Sequence, residues 1–388
     1  MKKILLIGLA ATAILTGCSN DDTVEMAPQK AIGFETFVGK STRAYNSNAD
    51  LDKNTLTQFK VYGNYWKSSD TGNGTKVFDG TTVTGAVATE NSWTYAGKQY
   101  WLSDANYWFS AIAPASSSSY THSFASQTSA PGESTHIQRT ISFDNSADGA
   151  NAKEDLIFAY KDCEQGSAHQ SDGGGERVAF TFKHLLSRIK ITLKNKCGSV
   201  NELKITDLKM TGVQYGNADY VTTTDDTADT YGNWSPIGTA SDLAFESPRM
   251  IYEAETVSTD NPNNVVVYFD SQSANEYDPI IDHRYIVPFT PANGQVTITF
   301  SAQAINIDDS EVVTPSTAKS FTATATIEGG FKQGYSYNFT ADITLQNLDP
   351  DLQYPIEFTV TEVNGYTDKD IDLTLTTTNS GSDSGAGS

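Results

Sequence analysis

Strict alternation of side-chain character near the C-terminal end is the feature that most limits what this chain can fold into. From residue 335 to residue 345 every second position is apolar, namely Tyr335, Tyr337, Phe339, Ala341, Ile343 and Leu345. Polar or charged residues occupy most of the positions between them. Because successive side chains of a strand point to opposite faces, this pattern predicts a strand with one buried face and one polar face.

Similar alternation recurs along the chain, and no long amphipathic helix stands out. Residues 107–114 are predicted as an aromatic strand, and residues 178–193 as a strand that bends at 184–187, where the period breaks. The Ser/Thr-rich stretch 115–130 is predicted as an exposed loop. Many short strands between turn signals are typical of β-sandwich domains, so the predicted fold class is all-β.

The length of 388 residues is enough for two domains, at about 150 residues per domain. Three successive glycines at 173–175 form the strongest break in the pattern. Glycine has much conformational entropy to lose on folding, so this run is expected in a linker or a long turn. The domain boundary is therefore predicted near it.

The N-terminus is predicted as a targeting segment rather than as part of the fold. Lys2 and Lys3 precede an apolar run of 12 residues, 4–15, whereas a helix that spans a bilayer takes about 20. The run ends in Leu-Thr-Gly-Cys18, which is similar to the bacterial lipobox, where the cysteine becomes acylated and then forms the new N-terminus. Lipidation is predicted at Cys18, against the alternative of a chance cysteine beside an ordinary signal peptide.

The net charge limits the expected binding partners, and the cysteine content bears on whether a disulfide forms. With 47 acidic and 26 basic residues the net charge is −21, which repels phosphate backbones, so nucleic acid is not an expected partner. In an oxidising compartment Cys163 and Cys197 could form a disulfide. That bond would close a loop of about 34 residues and stabilise the fold by about 3–4 kcal/mol. Two free buried thiols are the alternative.

No catalytic, metal or cofactor motif is evident, and none of the three is predicted. No two of the five histidines lie within four residues of each other: His122, His136, His169, His184 and His283. An acidic cluster lacks the calcium-loop pattern and is interpreted as a solvated loop: Asp225, Asp226 and Asp229. Four tryptophans could form a sugar-stacking platform, although aromatic residues at strand spacing are more often core: Trp66, Trp93, Trp101 and Trp108.

A series of motifs, taken in order, carries a resemblance to a known family. The series comprises Ile32-Gly-Phe34, Thr42-Arg43-Ala44, Trp93-Thr-Tyr95, Tyr100-Trp101, Tyr107-Trp-Phe-Ser-Ala111 with Pro114, Asp155-Leu-Ile-Phe-Ala159, Phe182-Lys-His-Leu-Leu-Ser-Arg-Ile189 and Gly334-Tyr-Ser-Tyr-Asn-Phe339. Each match is loose, but together they span nearly the whole secreted chain. Their order resembles the fimbrillin family of type V pili in the Bacteroidales.

The resemblance implies two tandem transthyretin-like β-sandwich domains in a lipoprotein precursor. The implied segments are a signal peptide (1–17), a lipidated propeptide with the first strand (18–43), an N-terminal domain (44–174), a C-terminal domain with a donor segment (175–378) and a flexible tail (379–388). An arginine-specific protease would cut between Arg43 and Ala44 and leave a hydrophobic groove. A strand from a neighbouring subunit would then fill this groove.

The alternating C-terminal segment 355–377 is the expected donor. Its apolar positions are Ile356, Phe358, Val360, Ile371, Leu373 and Leu375. The expected partners are other pilus subunits, the protease, the outer membrane through the lipid before cleavage, and a host or bacterial surface ligand. The expected location is the cell outer membrane and the extracellular pilus.

The main interpretation is a structural pilus subunit that is not an enzyme. One alternative is a pilus-tip adhesin or a glycan-binding surface lipoprotein, and another is a secreted hydrolase. Binding to glycans that depends on Trp66 or Trp101 would favour the adhesin. Reproducible turnover of a glycan or peptide would favour the hydrolase.

Overall fold

The computed structural model describes most of the chain between residues 31 and 364. The described residues are 31–38, 56–67, 74–85, 93–126, 137–144, 152, 154–163, 177–198, 200–213, 216–222, 231–236, 241–245, 249–252, 284–306, 308–351, 356 and 359–364. They are almost entirely strands and turns, so the predicted all-β class is confirmed. No helix within these residues is long and apolar enough to cross a membrane.

Ten strands precede residue 200: β1 (Phe34–Val38), β2 (Gln58–Lys67), β3 (Thr75–Thr84), β4 (Thr94–Tyr95), β5 (Ala105–Ala113), β6 (Tyr120–Ser126), β7 (Ile137–Phe143), β8 (Ile157–Cys163), β9 (Val178–His184) and β10 (Ser187–Lys196). The later elements are β11 (Asn201–Val213), β12 (Ala218–Thr222), β13 (Gly232–Pro236), β14 (Ser241–Ala244), β15 (Arg249–Tyr252), β16 (Arg284–Ile286), a 3-10 turn (Ala292–Gly294), β17 (Gln295–Asn306), β18 (Val312–Thr326), β19 (Tyr335–Thr344), α1 (Leu345–Leu348) and β20 (Thr359–Asn364).

The first sheet has seven strands in the order β1-β9-β8-β5-β2-β3-β4. Strand β5 lies at its centre, and nearly every residue of β5 is buried. Both faces of the sheet are therefore covered, which explains why β5 has a continuous apolar sequence rather than an alternating one. One face of the sheet carries a core rich in Phe, Tyr and Trp side chains, here called the aromatic core.

The second sheet has four strands in the order β13-β12-β7-β6 and packs on the other face of the first sheet. Ile112 and Phe158 of the first sheet meet Ile141, Phe143 and Tyr220 of the second. Strands β12 and β13 come from residues 218–236, after the chain has already left the first sheet at β9. Residues from both halves of the sequence thus build this layer.

The remaining strands form two sheets around a third core. The third sheet has the order β16-β10-β19-β20, and the fourth has the order β14-β11-β17-β18 with β15 also paired to β11. Alternate residues of the facing strands meet between them, for example Ile189, Phe339 and Ile298, and form what is here called the C-terminal core. This packing of two alternating sheets is a β-sandwich.

Most predicted strands appear where the alternation indicated them. Strand β19 alternates as predicted, except that Leu345 begins α1 instead of ending the strand. The break predicted at 184–187 separates β9 from β10, and the chain passes there from the first sheet to the third. The exposed loop predicted at 115–130 is wrong, because β6 lies within it. Within β6, exposed polar residues alternate with Tyr120, His122 and Phe124. This pattern is short and lies among many serines, so it is difficult to recognise in the sequence.

The two cysteines form no disulfide with each other and are buried in different cores. Cys163 belongs to the aromatic core and Cys197 to the C-terminal core. The structure thus contains the free-thiol alternative rather than a disulfide. Burial raises the pKa of Cys163 to about 12, so its thiol stays protonated and packs as a small apolar group.

The predicted boundary near residue 174 lies in the connection between β8 and β9, which pair with each other at Ile157 and Phe158. The described sheets therefore do not separate at that point of the sequence. The division of the chain at 174, and its description as two tandem transthyretin-like domains, remain predictions.

Candidate functional site

The N-terminal strand β1 lies at one edge of the first sheet, and the residues just before it contact the segment that follows β4. It pairs with β9 in parallel, from Phe34 opposite Val178 to Val38 opposite Phe182. Just before β1, the Ile32 amide donates to the Gln99 carbonyl oxygen at 2.9 Å, and Ala31 forms a bridge with Tyr100. The N-terminal segment is therefore held by β9 along β1 and by residues 99–100 just before it.

Phe34 occupies the centre of the aromatic core. Its side chain has no solvent exposure. Five rings surround it at centroid distances between 5.5 and 6.3 Å: Phe59, Phe78, Tyr95, Phe109 and Phe180. Burial of such a side chain contributes about 2–3 kcal/mol by transfer alone, and favourable ring contacts add to this.

Two polar side chains hold the backbone of the residues around Phe34. The Tyr95 hydroxyl donates to the Ile32 carbonyl oxygen at 2.8 Å and accepts from the Gln99 amide at 3.2 Å. Burial raises the pKa of Tyr95, so this hydroxyl keeps the proton that it donates. On the β9 side, Nη1 of Arg177 donates to the Phe34 carbonyl oxygen at 3.3 Å. Both side chains donate to main-chain carbonyl oxygens, so these contacts do not depend on which side chains the bound segment carries.

The N-terminal segment supplies two of the described buried members of the aromatic core. Ile32 and Phe34 precede residue 44, and all other described members of this core follow it, starting at Leu56. Without β1 the core would keep its walls but lose its central side chain. The site is therefore a groove that the chain fills with its own N-terminal strand, and it can bind an extended peptide segment. We call it the β1 groove.

The site residues predicted from sequence fall into two groups. Cys18, Arg43, Ala44, Phe358, Ile371, Leu373 and Leu375 lie outside the described residues. The other two donor candidates, Ile356 and Val360, are buried in the C-terminal core of their own chain. The structure thus does not bring these two near the β1 groove, and β20 is already paired with β19.

The residues that sequence reasoning missed in this site are Tyr95 and Arg177. Both lie far from β1 in sequence, at 63 and 143 residues from their backbone partners. No local motif indicates such contacts, because a tyrosine or an arginine at a strand end has many uses. Only the pairing of β1 between β9 and residues 99–100 brings them together.

The other candidate residues from the sequence, the histidines, the acidic residues and the tryptophans, have contacts that support the fold. Nδ1 of His184 lies 2.8 Å from Asp155 Oδ2 in a buried pair next to the bend between β9 and β10. Among the described residues no three His, Cys, Asp or Glu side chains form a group that could hold a metal ion. Three of the four candidate tryptophans are core residues with 5–7% exposure, namely Trp93, Trp101 and Trp108.

A buried cation lies between the first and second sheets. The Arg139 side chain is fully buried, donates to the Ser110 hydroxyl at 3.1 Å and forms an ion pair with Asp162. Its guanidinium lies 4.4 Å from the ring centroid of Tyr160. Next to it, the His122 ring stacks on Tyr62. These contacts satisfy the charge and fix how the two sheets pack.

The profile of fimbrillin-like proteins matches residues 42–362 of the chain. The chain belongs to the fimbrillin-like family. The matched region starts one residue before Arg43, so β1 lies outside it. The family predicted from the order of sequence motifs is confirmed.

Several solved structures are similar to this fimbrillin-like protein. A candidate cell adhesion protein from Bacteroides uniformis has 17% identity over 86% of this chain and 97% of its own, with a TM-score of 0.42. One from Bacteroides ovatus has 11% identity over 88% of this chain and 99% of its own, with a TM-score of 0.41. A fimbrial assembly protein from Parabacteroides distasonis has 10% identity over 86% of this chain and 95% of its own, with a TM-score of 0.37. No curated protein matches the chain significantly.

Proposed function

We propose that this fimbrillin-like chain is a structural subunit of a cell-surface pilus, not an enzyme, and that it assembles by strand exchange. The precursor is exported as a lipoprotein and held at the outer membrane through Cys18. An arginine-specific protease then cuts between Arg43 and Ala44. This cut removes the lipid and β1 together and opens the β1 groove for a strand of another pilus subunit.

One observation carries this proposal. The central side chain of the aromatic core, Phe34, belongs to a strand that precedes the predicted cut, whereas the walls of that core follow it. An open aromatic groove with unpaired backbone on both sides is an aggregation hazard. Keeping β1 in place until the chain reaches the cell surface prevents that hazard, and strand addition later satisfies the same backbone groups.

The proposal is tested by treating purified precursor with an arginine-specific protease. We expect a mature chain that begins at Ala44 and forms ladders that resist SDS. The Arg43→Ala variant should stay uncut and monomeric with unchanged thermal stability. Lys40→Ala, which changes a basic residue in the same segment, is the matched control and should be cut normally. A cut chain that remains a stable monomer would overturn strand exchange.

A further inference from the structure

Arg177 lies over Gly33, the glycine that directly precedes β1. A Cβ atom built at Gly33 would lie 3.1 Å from Cγ of Arg177 and 3.5 Å from its Nη1. Ile32 and Phe34 are buried in the aromatic core, and strand side chains alternate, so a side chain at position 33 would point to the opposite face. Any strand that replaces β1 with a residue other than glycine there meets a flexible cationic side chain.

Part of the predicted donor segment is already used within its own chain. Ile356 and Val360 fill the C-terminal core, and β20 is paired with β19 as far as Asn364. Of the other apolar donor positions, Phe358 directly precedes β20, whereas Ile371, Leu373 and Leu375 follow it in the sequence. They alternate with Asp372 and Thr374.

Resting on the proposed function, we propose that Arg177 sets the register of the incoming strand by forming an ion pair with Asp372 of a second copy of this chain. Ile371 and Leu373 then take the positions of Ile32 and Phe34, and the strand runs parallel to β9, as β1 does. Asp372 takes the position of Gly33, where its carboxylate reaches the Arg177 guanidinium. Arginine suits this role because its planar fork binds a carboxylate through two hydrogen bonds.

Shifting the incoming strand by two residues in either direction is less favourable. A shift of two residues in one direction puts Lys369 at the Ile32 position and buries a charge in an apolar core. The opposite shift puts Thr374 against Arg177 and loses the ion pair. Gly365-Tyr366 is similar to the Gly33-Phe34 dipeptide, but Asn364, which would then take the Ile32 position, is already paired with Tyr335. Only the proposed register buries two aliphatic residues and pairs the charge.

A charge-exchange experiment on the cut precursor tests the register. Arg177→Asp and Asp372→Lys, in which lysine adds no site for the arginine-specific protease, should each slow ladder formation about tenfold, and the double variant should recover to within about threefold of the unchanged chain. The matched control combines Arg177→Asp with Asp368→Lys, which makes the same change of charge four residues away. This control should not recover. Equal recovery in both pairs, or no recovery in either, would overturn the assigned register.

A second measurement keeps the acceptor chain unchanged, in case Arg177→Asp weakens the fold. A synthetic peptide of residues 366–377 should inhibit ladder formation by the cut wild-type chain. The same peptide with Asp372→Lys should inhibit about tenfold less, whereas a peptide with Asp368→Lys should inhibit as well as the original. If all three inhibit equally, the ion pair is wrong. Absence of any ladder from the unchanged chain would instead contradict the proposed function.

Discussion

Tyr107 and Tyr337 make the same local structure in two regions of the molecule. Each is the third residue of its strand, β5 or β19. The Tyr107 hydroxyl accepts from the Leu102 amide at 2.9 Å and donates to the Tyr100 carbonyl oxygen at 3.4 Å. The Tyr337 hydroxyl makes the corresponding bonds five and seven residues upstream, at 2.8 and 3.3 Å. The ring six residues upstream packs edge-on in both, at 4.8 and 4.9 Å.

The two regions differ in how their cores are completed. Around Tyr337, β19 lies between β10 and β20, which all follow the predicted cut site. Around Tyr107, residues 99–100 bond instead to Ile32 and Ala31, which precede it. The same tyrosine corner therefore occurs in a sandwich whose strands all follow the predicted cut site and in a sheet whose N-terminal strand precedes it. Under the proposed function, the first region would exchange a strand and the second would not.

The largest expected difference concerns the central phenylalanines of the two cores. Phe34→Ala should lower the free energy of unfolding of the precursor's first region by about 3–5 kcal/mol, because it empties a fully buried site. Phe339→Ala should cost a similar amount in the C-terminal core. After cleavage and removal of β1 the Phe34 effect should vanish, whereas the Phe339 effect should persist.

Tryptophan fluorescence distinguishes the two regions in this experiment. The chain has five tryptophans, and all lie in or beside the first and second sheets: Trp66, Trp93, Trp101, Trp108 and Trp234. Fluorescence should therefore follow the first region, while far-UV circular dichroism follows all sheets. Equal losses from Phe34→Ala in precursor and cut chain would contradict the removable-strand comparison.

This difference between the regions was only partly predictable from sequence. Local alternation predicted β19, because one of its faces is buried and the period of two survives. The strand β1 was expected from the family resemblance, but its parallel partner β9 lies some 144 residues away, and nothing local encodes that pairing. Strands β12 and β13, which join the second sheet from the later half of the chain, were missed for the same reason.

The next expected difference concerns pH and arises at His122 in β6 of the second sheet. Desolvation, with a further contribution from Arg139, lowers the pKa of His122 to about 3. Asp79 opposes this shift, and Tyr62 stacks on the ring. Below an ordinary pKa of about 6.5 the unfolded chain binds a proton at His122 that the folded chain does not, so stability falls as the pH decreases. The expected loss between pH 7.5 and 5 is about 1–2 kcal/mol.

His122→Phe removes the titrating group and keeps an aromatic ring against Tyr62. Urea unfolding followed by tryptophan fluorescence at pH 7.5 and 5 should give a smaller pH-dependent loss for this variant than for the unchanged chain. Tyr335→Phe in β19 is the control, because it also introduces a phenylalanine but lies outside the second sheet. This substitution should leave the pH-dependent loss of stability unchanged. If His122→Phe and Tyr335→Phe behave alike, the pH dependence comes from other groups.

The smallest expected effect tests the tyrosine corners themselves. Tyr107→Phe and Tyr337→Phe each remove one hydroxyl that makes two backbone hydrogen bonds, so each should cost about 1–2 kcal/mol in the precursor. Burial raises the pKa of Tyr107 to about 12, so the hydroxyl remains a donor at any pH used for the measurement. After cleavage the Tyr337 cost should stay the same.

The Tyr107 cost should decrease after cleavage, because residues 99–100 lose their backbone partners in β1 and no longer hold the Tyr100 carbonyl against the ring hydroxyl. Filling the groove again with a donor strand should restore the full cost. Thermal unfolding of the precursor, the cut chain and the peptide-filled chain supplies the three values. If the Tyr107 cost is the same in all three, the corner is independent of β1, and the two regions differ less than their strand order indicates.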